Sequence, residues 1–96
     1  MEMKEVYKND LYKILSVSLN VSEAMPLHYA TSDAFIIVKK GKGRISFADR
    51  QVTLMQGESL LIKANETHKM EILEDFSANV ILNAEARINF NDVKTL

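Results

Sequence analysis

The chain has no cysteine and no tryptophan, and it contains one proline and three glycines among 96 residues. Without cysteine it forms no disulfide and supplies no thiolate, so iron–sulfur clusters and zinc–cysteine sites are excluded. Any metal would depend on nitrogen and oxygen ligands. No segment approaches the ~20 apolar residues of a membrane-spanning helix, and residues 1–10 lack the apolar core of a signal peptide. We therefore expect a cytoplasmic protein.

The charges are balanced and dispersed along the chain. Twelve basic and thirteen acidic residues give a formal net charge of −1. No basic block is present that would attract a phosphate backbone or an anionic membrane, so nucleic acid and membranes are not expected partners. The length predicts a single domain over residues 1–96, with a core over about 11–84 and terminal arms over 1–10 and 85–96. A domain this small, with strand-like arms, favours a homodimer that covers its edges.

Short segments with the period of half-buried strands follow one another closely. In residues 11–19 the apolar Leu15, Val17 and Leu19 alternate with serines and should face inward. Further strand-like segments are Phe35–Lys39, Arg44–Ala48, Gln51–Met55, Ser59–Lys63, His68–Leu73 and Phe76–Ala84. Gly41-Lys42-Gly43, Asp49-Arg50 and Glu74-Asp75 are interpreted as turns between them. Because no amphipathic helix is apparent, the pattern predicts an all-β sandwich or barrel.

The only two histidines, His28 and His68, each lie at or near the start of a strand-like segment. Both could therefore lean into one interior, and the mouth of a barrel is the usual place for a ligand. Neutral imidazoles near pH 7 can exchange a proton or form hydrogen bonds with a bound molecule.

The two segments that contain these histidines resemble the two conserved motifs of the cupin family. The family's first motif is His-x-His, three or four residues, Glu, six residues, Gly. In this chain the four positions are occupied by His28, Ala30, Ala34 and Gly41. The spacing of the motif is therefore kept, while its second histidine and its glutamate are replaced by alanine.

The second cupin motif is Gly, five residues, Pro, one residue, Gly, two residues, His. Gly57 and His68 match its ends, whereas Lys63 and Asn65 replace the proline and the inner glycine. The resemblance spans roughly residues 15–82 and implies a single-domain cupin, a jelly-roll or double-stranded β-helix barrel.

The resemblance also bears on metals. Three histidines and one glutamate hold a divalent metal such as iron, manganese, nickel or zinc in the family, but Ala30 and Ala34 have no donor atom. Four side chains near these positions could replace the missing donors, but strand alternation should turn three of them away from the interior and the fourth lies in a loop: Tyr29, Asp33, Glu71 and Glu66, respectively. We expect no resident cofactor and no metal; if a metal is bound, His28 and His68 are its ligands.

Two alanines on an interior wall would leave an apolar cavity beside the histidines. The predicted ligand-binding residues are His28, His68, Ala30, Ala34, Ile36, Val38 and Met70. We expect a protein that binds a small molecule in a metal-poor pocket, in a sensing or accessory role. One alternative is a metal-dependent enzyme of isomerase or dioxygenase type that uses His28 and His68, and a second is a structural or interaction module with a closed pocket. Whether the protein is an enzyme stays open, and no catalytic residue is assigned.

Overall fold

The computed structural model describes residues 1–90, which form eight β-strands and no helix. The strands are β1 (Glu2–Lys8), β2 (Tyr12–Leu19), β3 (Ala24–Ala30), β4 (Ala34–Ser46), β5 (Gln51–Met55), β6 (Ser59–Ile62), β7 (His68–Asn83) and β8 (Ile88–Asn89). The all-β prediction is confirmed. Within these residues no helix is long and apolar enough to cross a membrane. Residues 91–96 of the predicted C-terminal arm lie outside the described residues.

All strand pairs are antiparallel, and the two longest strands organise the sheet. Hydrogen-bonded neighbours follow the order β1-β2-β7-β3-β8, and β4 pairs with β5, β6 and β7. The first half of β4 pairs with β6 and its second half with β5. The sheet therefore curls around one core to which both ends of β4 and β7 contribute.

The predicted inward face of β2 is confirmed. Leu15, Val17 and Leu19 are at most 8% exposed, and each lies opposite a residue of β7. Ile45 of β4 and Ala78 of β7 are completely buried at the centre of the same cluster. Period-two alternation on the facing strands fills one continuous interior with apolar side chains.

The predicted hairpin across Asp49 and Arg50 is also confirmed. Residues 42–46 of β4 pair with β5, and the amide of Phe47 donates a hydrogen bond to the carbonyl of Arg50 at 2.8 Å. This tight reversal holds the side chains of Phe47 and Arg50 close together at one end of the core.

Two predicted turns are wrong. Gly41-Lys42-Gly43 lies inside β4, and Glu74-Asp75 lies inside β7, where the register of the two strands shifts repeatedly. Gly41 has a φ of +83°, and a Cβ on it would lie 1.9 Å from the Asp75 carbonyl oxygen. Glycine and the acidic pair therefore form facing bulges, which bend both strands without ending them. A left-handed glycine serves a bulge as well as a turn, which explains the error.

Candidate functional site

The two histidines lie side by side inside the barrel. His28 of β3 and His68 of β7 are paired across the two strands, and a register shift between Met25 and His28 precedes the pair on β3. Their ring centroids are 4.1 Å apart, with an angle of 60° between the ring planes. Both residues are buried, at 6% and 5% exposure. The structure thus brings together the two residues on which the site prediction depends.

The hydrogen bonds of the two rings define their chemistry. Nδ1 of His28 lies 2.8 Å from the carbonyl oxygen of Pro26, and Nδ1 of His68 lies 2.8 Å from that of Glu66. A carbonyl oxygen only accepts, so in both rings Nδ1 carries the proton and donates it. In the neutral form, Nε2 of each ring is then an unprotonated acceptor.

Both rings are neutral near pH 7. Burial and, to a smaller extent, the neighbouring His68 lower the pKa of His28 from 6.5 to about 4. The hydrogen bond to the Pro26 carbonyl opposes this shift but is a smaller effect. Burial also lowers the pKa of His68, against the opposing effects of the hydrogen bond to the Glu66 carbonyl and the Glu66 charge. The physical cause is the cost of placing an imidazolium in an apolar interior.

A cavity of about 50 Å³ adjoins the pair. It is lined by His28, His68, Met3, Leu15, Val17, Met25, Ala30, Ala34, Ile36, Ile62, Met70, Phe76, Val80, Leu82 and Ile88. Of the described residues that line the cavity, the two histidines alone have polar side chains. Within residues 1–90 neither Nε2 has a hydrogen-bond partner, yet no fully enclosed polar side-chain atom is unsatisfied. Both Nε2 atoms therefore border open space.

Six of the seven predicted ligand-binding residues line this cavity. Ala30 and Ala34 are buried there, beside Ile36 and Met70. Val38 is the exception. It is 2% exposed and packs in the core, but it lies farther along β4, next to the bulge at Gly41, and does not reach the cavity.

Aromatic rings extend the histidine pair on both sides, which the sequence analysis missed. Phe90 stacks on His28 at 5.1 Å between ring centroids, and Phe47 packs against His68 at 5.6 Å. The guanidinium of Arg50 lies over Phe47 at 3.9 Å and forms hydrogen bonds with both carboxylate oxygens of Glu66. The carbonyl of Glu66 in turn orients His68. No local pattern marks these partners; only the predicted hairpin placed Phe47 next to Arg50.

The donor set does not fit the divalent metal site of the family. The carboxylates near the two missing ligand positions are engaged elsewhere. Asp33 accepts a hydrogen bond from the Ala64 amide, Glu66 forms an ion pair with Arg50, and Glu71 forms one with Arg44. In the part of the chain that the structure describes, no three His, Cys, Asp or Glu side chains gather where they could hold a metal ion. Two neutral imidazoles alone provide too few ligands and no negative charge for a hard divalent cation.

Comparison with known proteins decides the family. Residues 15–82 match the cupin domain family, which is most of the chain. The chain belongs to the cupin family. The resemblance proposed from its two motifs is thereby confirmed, over the same residues. No curated protein matches this cupin significantly.

Solved structures agree on the fold of this cupin. A cupin-2 domain protein from Shewanella frigidimarina superposes with a TM-score of 0.74 at 23% identity, covering 83% of this chain and 78% of that one. A cupin superfamily protein from Desulfitobacterium hafniense has a TM-score of 0.79 at 18% identity, with coverage of 88% and 77%. An RmlC-like cupin with a double-stranded β-helix fold from Methanocaldococcus jannaschii has a TM-score of 0.77 at 17% identity, with coverage of 86% and 79%. The double-stranded β-helix is the fold of this chain.

Proposed function

We propose that this cupin binds a small molecule in the cavity beside His28 and His68, in a sensing or accessory role. The observation that carries the proposal is an apolar cavity in which, among the described residues, the polar side-chain groups are two imidazole nitrogens without a partner. Pockets of this kind, mainly apolar with a few convergent polar groups, are the usual form of small-molecule sites.

The histidine pair also argues against an interior built for packing alone. Apolar side chains at the same two positions would pack the interior without placing hydrogen-bond acceptors on the wall of a cavity. The pair is further held in one tautomer by two backbone carbonyls. An oriented pair of acceptors facing a cavity is what a ligand with matching groups would use.

The test is a thermal-shift screen with a cavity-filling variant. Ala34 is 6% exposed and lines the cavity, so Ala34→Leu places a larger side chain in the ligand's volume. We expect compounds that raise the melting temperature of the native protein and lose this effect in Ala34→Leu. Ala64→Leu, at an exposed loop position, is the matched control and should retain it. A broad screen without any such compound would favour the closed structural module.

We also propose that this cupin forms a homodimer through the outer face of its sheet. A row of apolar side chains crosses five strands in register: Tyr7, Ile14, Ile81, Phe35 and Leu61. Tyr7, Phe35 and Leu61 are 49%, 37% and 49% exposed. At ~4.8 Å between strands the row extends about 19 Å.

The charge pattern around this outer row favours a second copy as the partner. The residues that flank the row on β2 and β7 are Tyr12, Ser16, Asn79 and Asn83, none of which is charged. Two copies related by a twofold axis can therefore pack row against row without bringing like charges together on these strands.

A further inference from the structure

The polar side-chain groups that the described residues present to the cavity are hydrogen-bond acceptors. Each histidine donates through Nδ1 to a backbone carbonyl, so that nitrogen is already used, and each offers Nε2 as an acceptor. The remaining lining side chains are apolar and donate no hydrogen bond. Among residues 1–90, the cavity walls thus present two side-chain acceptors and no side-chain donor.

This arrangement disfavours charged ligands. A carboxylate or phosphate has only acceptor oxygens, which would face the unprotonated Nε2 atoms and an apolar wall that has no side-chain donor among the described residues. A cation would find no negative side chain among the lining residues that the structure describes, and its desolvation would not be offset. Protonating the histidines to receive an anion is opposed by the burial that lowers the pKa of both rings.

Polyhydroxylated ligands such as sugars are disfavoured for a related reason. Two acceptors satisfy two hydroxyl groups, and every further buried hydroxyl would face Leu, Ile, Val, Phe, Ala or Met side chains at a cost of about 1–3 kcal/mol. The matching ligand has one or two donors and is otherwise apolar.

Size limits the ligand further. A cavity of about 50 Å³ has room for several waters and is about a third of a ~150 Å³ cavity that takes up benzene. Met3, Met25 and Met70 belong to the wall, and methionine repacks more easily than branched residues. Two or three non-hydrogen atoms fit the cavity as it stands, and the methionines provide room for a somewhat longer apolar tail.

On the basis of the proposed small-molecule function, we propose that the ligand is a compact uncharged alcohol, whose hydroxyl donates a hydrogen bond to Nε2 of His28 or His68 while its alkyl part packs against Ala30 and Ala34. Such a ligand is neutral and carries a hydrogen-bond donor.

The experiment compares three probes that each have three non-hydrogen atoms: ethanol, which donates; acetonitrile, which only accepts; and formate, an anion. Each is titrated into the native protein at pH 7.5. Long-range ¹H–¹⁵N spectra report on the Nε2 atoms, and methyl spectra report on Ala30 and Ala34. We expect saturable shifts of these signals with ethanol and at least tenfold weaker binding of acetonitrile and formate. Replacing both histidines by phenylalanine, which keeps a ring at each position, should remove the preference for ethanol.

The outcomes separate this inference from the proposed function. Equal or tighter binding of acetonitrile or formate at the same signals would overturn the alcohol class and leave small-molecule binding intact. The alcohol class would also be overturned if compounds without an O–H or N–H group raise the melting temperature of the native protein and lose this effect in Ala34→Leu. If no probe moves the cavity signals and the screen yields no compound, the function and the ligand class fail together.

Discussion

The ring of His68 contacts the ring of His28 at 4.1 Å between centroids, and each ring donates its Nδ1 proton to the carbonyl oxygen two residues earlier in the chain. Carbonyls that fix the tautomer of a histidine are common around metal ligands. Here Ala30 and Ala34 stand where the other two family ligands would be. The oriented acceptors therefore face an apolar cavity rather than a set of metal-binding donors.

The first prediction concerns the dependence of stability on pH. The pKa of His28 is lowered from 6.5 to about 4 in the folded protein. Between these values the unfolded chain binds a proton that the folded chain does not, so stability is full above pH 6.5 and falls as the pH decreases toward 4. The loss due to His28 is on the order of 3 kcal/mol. The lowered pKa of His68 acts in the same direction. Urea unfolding at pH 7.5, 6 and 4.5 measures this loss of unfolding free energy.

The control for this pH effect is His28→Phe, which keeps an aromatic ring next to His68 and Phe90 but does not titrate. Its unfolding free energy should fall less over the same interval. The hydrogen bond to Arg50 is the chief cause that lowers the pKa of Glu66 from 4.5. The stability that this ionised carboxylate contributes is therefore lost only at a lower pH than the contribution of His28. An equal fall in the native protein and in His28→Phe would show that His28 is not the group responsible.

The second prediction concerns the facing bulges of β4 and β7. Gly41→Ala should be destabilising by about 3 kcal/mol or more, because the new Cβ would lie 1.9 Å from the Asp75 carbonyl oxygen and the φ of +83° is unfavourable for alanine. Gly57→Ala is the matched control: its φ is +87°, but nothing lies within 4 Å of the added Cβ. It should lose only about 1–2 kcal/mol. Chemical denaturation of both variants compares them, and equal losses would mean that backbone conformation alone accounts for the effect.

The third prediction concerns metal content. We expect the purified protein to contain well under one equivalent of transition metal by elemental analysis, because the described residues of the cavity wall offer two neutral nitrogens and no carboxylate. The double variant Ala30→His, Ala34→Glu restores the two missing family donors on the same cavity wall and should take up close to one equivalent of Zn²⁺. Stoichiometric metal in the native protein, lost on His28→Ala or His68→Ala, would instead support the metal-dependent enzyme.

The fourth prediction concerns self-association. Light scattering coupled to gel filtration should give twice the 10.9 kDa mass of one chain. The double variant Phe35→Lys, Leu61→Lys places two charges in the outer row and should give the mass of one chain. Val21→Lys is the control, since Val21 is 54% exposed in a turn away from the row, and it should stay dimeric. A native protein that elutes as a monomer at all concentrations would rule out the homodimer.

Features that depend on local spacing could be predicted from the amino-acid sequence. Alternation in residues 11–19 identified the inward face of β2, and the pair Asp49-Arg50 identified the hairpin. These two features follow from the two-residue period of strands and from turn chemistry, and both can be read along the chain. The intervals from His28 to Gly41 and from Gly57 to His68 carry the resemblance to the cupin family, which the match over residues 15–82 confirms despite the lost ligands.

Features that depend on pairing between distant segments emerge only in the folded chain. Gly41 could equally begin a turn or form a bulge, and its contact with the Asp75 carbonyl in β7 selects the bulge. Val38 continues the register of Ala34 and Ile36 on β4 but lies farther along the strand, opposite Ala78, so it packs in the core without lining the cavity. The stacking of Phe90 on His28 and the packing of Phe47 against His68 arise from the same long-range registers. Strand register between segments far apart in sequence is set by the packing of the whole core, and no local pattern encodes it.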